Sequence, residues 1–302
     1  MRPPEWFRWD IRPREIRWPA WFTGWPNGAR VALHLTVLHE WEWEPRSWAP
    51  AFGRSFPPDA PQQTDFLTLG YREYAFTSGV WRIMEILDRQ RVKATVFTNG
   101  VVAELWPESV RELGRRGHEI GSHSWDQAVH PVSYKTREEE REAIRQSIAA
   151  IEKVTGERPR AYMSPGPRPT VHTLELCAEA GFTWCSDLMN ADLPYLVKLP
   201  GKKLLVLPYA TPGCIDVHIF GARPPFRSPS EALTSLKDEF DAVYEESAIH
   251  PMRFNYAFHT HVSGLPGPAK TLEAFIKHAK IHPGVWVATG MEQALFWLKQ
   301  SG

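Results

Sequence analysis

Residues 93–127 read KATVFTNGVVAELWPESVRELGRRGHEIGSHSWDQ, and their alternation decides the fold. The β-branched and aromatic run Lys93–Asn99 reads as a strand. Pro107 opens a helix predicted to run to Arg116, and Gly117 follows it. His118–Ser122 is the next strand, ending at His123. Strands linked through a helix pair parallel, because the crossover lies over one face of the sheet.

The alternation extends both ways. Upstream, 30–38 (RVALHLTVL) is an uninterrupted buried strand, and Gly79–Gln90 places Val80, Ile83, Met84 and Leu87 at helical spacing. Downstream, helices are predicted over Thr136–Thr155, with a turn at Gly156, and over Val171–Ala180. Further strands are predicted at Ala161–Met163, Thr183–Cys185, Leu204–Pro208, Asn255–Phe258 and Val285–Ala288. Repeated strand and helix units imply an α/β protein whose parallel sheet or barrel carries its active site at the C-terminal strand ends. Residues 1–29, rich in Trp, Pro and Arg without a period, read as an N-terminal arm packing on the barrel or a neighbouring subunit. Residues 30–302 form one barrel domain, and the Pro- and Ser-dense stretch 45–65 is a long loop of the kind that serves a function or an interface.

Composition narrows the function. Lys plus Arg and Asp plus Glu both number 35, so the formal charge is +0 and nothing marks the whole chain as a nucleic-acid or anionic-membrane binder. A small-molecule substrate is expected instead. Three cysteines without CxxC spacing argue against a disulfide framework or a thiolate zinc site. The first residues carry no apolar signal region and the chain no membrane-spanning stretch, so a cytoplasmic location is expected.

Polar residues just after the strands are the site candidates. They are His39, Glu40, Glu42 and Glu44; Asn99; His123 and Asp126; Asp187, Asn190 and Asp192; and His259 with His261. A single histidine at a strand end is more often structural, but several converging strand ends favour a site. Trp41 and Trp43 imply an apolar setting that would raise the pKa of Glu40 and suit a general base. Asp187 also reads as a turn residue, and His261 could share the face of His259. His130 reads as a loop residue, and the EEEREAIR helix face as a solvated one. A zinc centre would need a strand-one carboxylate and two histidines close by, with an open position for water. Strand one offers Thr36, Val37 and Leu38 there, and Gln127 stands four residues after His123. No cofactor is expected, and zinc or another divalent metal is the disfavoured alternative.

The order of motifs resembles the polysaccharide-deacetylase (NodB-homology, carbohydrate esterase 4-like) family, nearest its branch of metal-independent allantoinases and cyclic imide hydrolases. The carrying segments are WPNGARVALHLTVLHEWEWE at 25–44, REYAFTSGVWRIMEILD at 72–88 with Glu73, Tyr74, Gly79, Trp81 and Arg82 matching, and GHEIGSHSW at 117–125. TGERPRAYMSPG at 155–166, DLMNADLPY at 187–195 and the stretch from His259 continue the pattern. Thr77 stands where the allantoinase-like pattern has Arg and Ala75 where it has Gly, while Met163 lies where deacetylases place a site Arg; a lost Arg removes a bidentate donor. The resemblance implies a distorted (β/α) barrel with fewer than eight complete units and a homo-oligomer, dimer or tetramer.

The expected activity is hydrolysis of a C–N bond in a cyclic amide, imide or ureide without a tightly bound metal. Glu40 or His123 is the expected base and His259 the acid or oxyanion donor. Glu73, Tyr74, Asp187 and His261 are expected at the substrate, with Trp41, Trp125 and Pro165 as apolar walls. The alternatives are a metal-dependent N-deacetylase of a sugar or small acylated amine, and a non-catalytic carbohydrate-binding descendant.

Overall fold

The computed structural model describes residues 18–42, 65–199, 201–221 and 227–301. The arm up to residue 17 and the segment 43–64, with Trp43, Glu44 and nearly all of the Pro-rich loop, lie outside the described residues.

Among the described residues, nine strands build one curled sheet: β1 (Val31–His39), β2 (Thr95–Thr98), β3 (Glu119–Ser122), β4 (Ala161–Tyr162), β5 (Trp184–Cys185), β6 (Tyr195–Leu199), β7 (Lys202–Val206), β8 (Met252–His259) and β9 (Val285–Val287). Their order is β6-β7-β5-β4-β3-β2-β1-β8, parallel apart from the β6–β7 pair, and β9 pairs the first residues of β1. Among the described strands no ladder joins β8 to β6, so the expected distorted barrel is a curled half-barrel.

The segment quoted first forms β2, α3 (Gly100–Leu105), α4 (Pro107–Arg115) and β3. The short helix α3 was not legible, because its small apolar residues carry no helical period. Other helices are α1 (Phe66–Tyr74), α2 (Val80–Gln90), α5 (Arg137–Thr155), α6 (Thr173–Glu179), α7 (Asp216–Ile219), α8 (Pro229–Glu246), α9 (Pro266–Lys280) and α10 (Gly290–Gln300). A π-turn at Ala75–Gly79 joins α1 to α2. Such turns are rare and recur at functional sites. Here it lets Gly79 meet Gly264: a Cβ on Gly264 would lie 2.4 Å from Gly79 Cα, so α1 reaches over the loop that follows β8.

Alternation along the strands stacks the barrel interior in tiers, because residues two apart share a face. At the N-terminal end lies a buried polar chain of fixed direction. Arg253 donates to Nδ1 of His34 at 2.7 Å; His34 Nε2 meets Thr95 Oγ1 at 2.8 Å; and Thr95 donates to Glu119 at 2.7 Å. Trp184 Nε1 and the backbone of Met291 also donate to Glu119. Above it sit Leu38, Phe97 and Met163 in the main apolar core. Gly121 makes room for this tier, since a Cβ there would lie 2.7 Å from the Phe97 ring. At the C-terminal end the interior column of β1 arrives at Glu40.

The described part of the arm covers the opposite end. Trp25 Nε1 donates to Met252 O at 2.7 Å, and Phe22 and Trp25 stack edge-on against each other beside Trp297.

Candidate active site

Glu40 follows β1, His123 follows β3 and His259 ends β8, so three strand ends deliver three ionisable groups to one point. Glu40 Oε2 lies 3.5 Å from His123 Nε2, and Oε1 lies 3.7 Å from His259 Nε2. One carboxylate therefore bridges two imidazoles, each facing a different oxygen.

Each imidazole is held from behind. His123 Nδ1 donates to Met163 O at 2.8 Å, which turns Nε2 toward Glu40, where it is buried without a hydrogen-bond partner. His259 Nδ1 donates to Asp216 Oδ1 at 2.6 Å, and the His259 backbone N–H to Asp216 Oδ2 at 2.7 Å. Ser263 Oγ adds a third bond to the same carboxylate at 2.8 Å. Asp216 is fully buried and was not among the sequence candidates. It lies between the predicted strands Leu204–Pro208 and Asn255–Phe258, where no element was expected, and only its position at the start of α7, bridged to β8 through Ile215 and Ala257, brings it behind His259.

The Met163 carbonyl is in turn positioned by Asp187. Ser164 donates to Asp187 Oδ1 from its backbone at 2.6 Å and its hydroxyl at 2.8 Å. Burial pushes the Asp187 carboxyl up to about 6, against the Ser164 bonds and the nearby His123, while Oδ2 stays buried without a hydrogen-bond partner. Asp187 thus holds the loop that orients His123. Asn99 secures the neighbouring chains: its Nδ2 donates to His123 O at 2.6 Å and its Oδ1 accepts from Trp41 N at 3.1 Å.

Glu40 departs from expectation. Burial raises its pKa, as the flanking tryptophans suggested, but the charge of His259, the close approach of His123 and the charge of Arg72 outweigh it and hold the carboxyl at about 2. A carboxylate that acidic is a weak proton acceptor, so Glu40 acts through its charge. His259 moves the other way: burial disfavours its cation, yet Asp216 and Glu40 prevail and raise its pKa.

His261 lies beside His259, with ring centroids 5.6 Å apart, and its Nε2 accepts from Arg72 Nη1 at 2.8 Å. Burial first, then Arg72 and His259, hold it well below the usual histidine range, so it is a neutral ring. Arg72 was not singled out in the sequence, and it is this residue of α1, beside Tyr71, that faces the site.

The other α1 candidates lie elsewhere. Glu73 is exposed, and the Tyr74 hydroxyl accepts from Arg82 at 2.6 Å, locking α1 to α2. Trp125 is turned aside by Ser124, whose φ of 58° lies in the left-handed region uncommon for non-glycine residues and bends the chain directly after His123. Its ring packs over Gly100 and against Ala103, Ala150 and Ile151. Trp41 is likewise committed to packing, edge-on to Phe76 and Trp106. Pro165 is buried beside Ser164. His39 is structural, bonded to Thr260 and Ser109, and burial takes its pKa down to about 3. Asn190 is exposed and accepts from Tyr195, Asp192 is exposed, and His130 lies half-buried on a loop against Gly166.

The deacetylase-type zinc donors are not assembled here. Thr36 donates to Asn255 within the barrel, Val37 and Leu38 are core, and Gln127 replaces the second histidine. Glu40, His123 and His259 do not converge as ligands either. Among the described residues the three-residue group whose donor atoms lie within 4.8 Å of one another is a different one, Asp241, His278 and His282. The described residues at the Glu40 cluster therefore do not fit the three-ligand requirement of a catalytic zinc.

Residues 63–185 match the family model described as polysaccharide deacetylase. A putative polysaccharide deacetylase of Schizosaccharomyces pombe is 28% identical across 90% of this chain and 92% of its own. Among solved structures, a probable polysaccharide deacetylase from Pseudomonas aeruginosa PAO1 superposes with TM-score 0.79 at 27% identity, covering 95% of this chain and 98% of that one. PuuE allantoinase gives the same TM-score and the same coverage at 26% identity. Across nearly its whole length the chain is similar in sequence and fold to polysaccharide deacetylases (NodB-homology) and to an allantoinase, hydrolases of C–N bonds other than peptide bonds.

Proposed function

We propose that this protein hydrolyses a C–N bond in a cyclic amide, imide or ureide, using side chains in place of a tightly bound metal. The observation that carries this reading is the Glu40 carboxylate lying between His123 Nε2 and His259 Nε2, with Asp216 behind His259. Amide hydrolysis needs a base for water and an acid for the leaving nitrogen, and the two imidazoles divide these roles.

His123, with Nδ1–H committed to Met163, presents a basic Nε2 and takes the proton from water as the new C–O bond forms. Glu40 steadies the imidazolium that results. His259, kept cationic by Asp216 and Glu40, faces the developing oxyanion and then gives its Nε2 proton to the leaving nitrogen as the C–N bond breaks. One proton has then moved onto His123 and one has left His259. Proton exchange with solvent, loss from His123 and uptake by His259, restores the starting state, and the Glu40 charge within 3.7 Å of both rings favours the cation on either. Asp187, His261 and Arg72 position these groups and the substrate.

Similarity to PuuE allantoinase along 95% of the chain supports a cyclic ureide or relative as substrate class. The names of the other relatives favour a second reading, an N-deacetylase, which the same acid and base could serve. A hydrolysis screen of allantoin, hydantoins, dihydropyrimidines, succinimide, phthalimide and N-acetylated sugars, with and without chelator, separates the two. The expected result is ring opening unaffected by chelator and abolished in His123→Ala and His259→Ala. Zinc-dependent turnover confined to acetylated sugars overturns the proposal. Hydrolysis of none, with carbohydrate binding intact in both variants, favours a non-catalytic descendant.

A further inference from the structure

At the N-terminal strand ends, on the face of the barrel opposite Glu40, three side chains from two helices converge. Asp241 lies on α8, His278 in the last turn of α9, and His282 one turn further, just past its end. His278 Nε2 is 2.6 Å and His282 Nε2 3.6 Å from the same oxygen, Asp241 Oδ1. A tetrahedral ion with bonds near 2.0–2.2 Å separates its donors by about 3.3 Å, a value these distances bracket.

The tautomer of His282 decides what the cluster is suited to hold. Its Nδ1–H donates to the carbonyl of His278 at 2.9 Å. The Nε2 of the neutral ring is then a lone pair aimed at a carboxylate, an arrangement relieved by a second ring proton, a bridging water or a cation between them. A ring N–H anchored on a backbone carbonyl is also the usual support behind a metal-ligating imidazole. Packing fixes both rings further: His282 stands edge-on between Phe240 and Tyr244, at centroid distances of 5.3 and 4.5 Å, and His278 edge-on to Phe240 at 6.0 Å. The carbonyl end of α9 adds partial negative charge that favours a cation. Two imidazoles and one carboxylate select a zinc-like ion over calcium or magnesium, which take all-oxygen sets.

We infer that Asp241, His278 and His282 form a binding site for a divalent transition ion of the zinc class, which clamps α8 to α9 at the end of the barrel remote from the hydrolytic cluster. Asp241 remains about two-fifths exposed, its side chain at 42%, so water can complete the coordination and the ion can enter. The placement assigns the ion to stability, because the N-terminal face of such a barrel carries no chemistry.

The test is zinc titration by calorimetry on tag-free, metal-stripped protein, with cobalt as the spectroscopic probe. One ion per chain is expected. Zinc at a hundredfold excess over its Kd should raise Tm by about 5 °C. His282→Ala and Asp241→Asn should each weaken binding by at least about tenfold and erase the tetrahedral cobalt bands, while His123→Ala leaves them intact. If His282→Ala fails to fold, the conservative Asp241→Asn at a part-exposed position still decides. Absence of saturable binding, or binding that survives Asp241→Asn but is lost in His123→Ala, overturns the inference.

Discussion

Asp216 holds His259 by two bonds at once, accepting the ring Nδ1–H at 2.6 Å and the backbone N–H at 2.7 Å through separate oxygens. Ring and strand end therefore cannot rotate independently, and Nε2 has one direction to face. In Asp216→Asn the amide keeps the shape but can present N–H to Nδ1, favouring the wrong tautomer. Turnover is expected to fall by about 10³–10⁴-fold, as for the analogous change in a catalytic triad. The His259 pKa, followed by NMR, should drop because its main supporting charge is gone. Activity within a few-fold of wild type rules out the role given to Asp216.

Glu40→Gln removes the charge shared by the two imidazoles while preserving volume. His259 then loses its second supporting charge and its pKa falls. Because His259 must be protonated to act, the alkaline limb of the pH–rate profile should move to lower pH. The rate at the optimum should fall by at least about 10²-fold. An unmoved alkaline limb argues that another group is the acid.

Two carboxyls make opposite contributions to stability against pH. Asp187 is raised from 3.8 to about 6, so its contribution is full below pH 3.8 and is lost as pH rises through 6. Glu40 is lowered from 4.5 to about 2, so its contribution is present above pH 4.5 and lost as pH falls through 2. Asp187→Asn should therefore gain on wild type by about 2 kcal/mol between pH 4 and pH 7 in urea unfolding. A constant difference across that range contradicts the burial argument.

Gly121→Ala forces a methyl to within 2.7 Å of the Phe97 ring, with Ala161 Cβ at 3.2 Å on the other side. Overpacking of this kind costs about 1–3 kcal/mol. Gly70→Ala is the control, since that helical position has open space around it and the change should stabilise by roughly 0.5–1 kcal/mol. Thermal unfolding of the two variants should move in opposite directions.

The barrel was legible because its strands announce themselves. The run at 30–38 is apolar throughout, as a strand buried on both faces must be, and it forms β1 within one residue at either end. Helices α8 and α10 open on capping boxes at Ser228 and Thr289, a signal present in the sequence but not taken up. Glu40, His123 and His259 were identifiable because each ends a strand of a parallel sheet. Asp216 and Arg72 were not, since their roles depend on contacts across 43 and 189 residues that no local pattern encodes. The pKa of Glu40 was misjudged for a related reason: burial is visible in neighbouring tryptophans, whereas two opposing imidazoles arrive from distant strands.

The apolar storey formed by Leu38, Phe97 and Met163 stands between two sets of buried charges, Glu40 and its histidines above, Arg253 and Glu119 below. It serves as an apolar partition between them. Protons can change places in the upper set during each turnover while the lower set keeps a constant charge and a constant hydrogen-bond direction. Substitutions in the upper set should therefore change activity while the lower one keeps the chain folded.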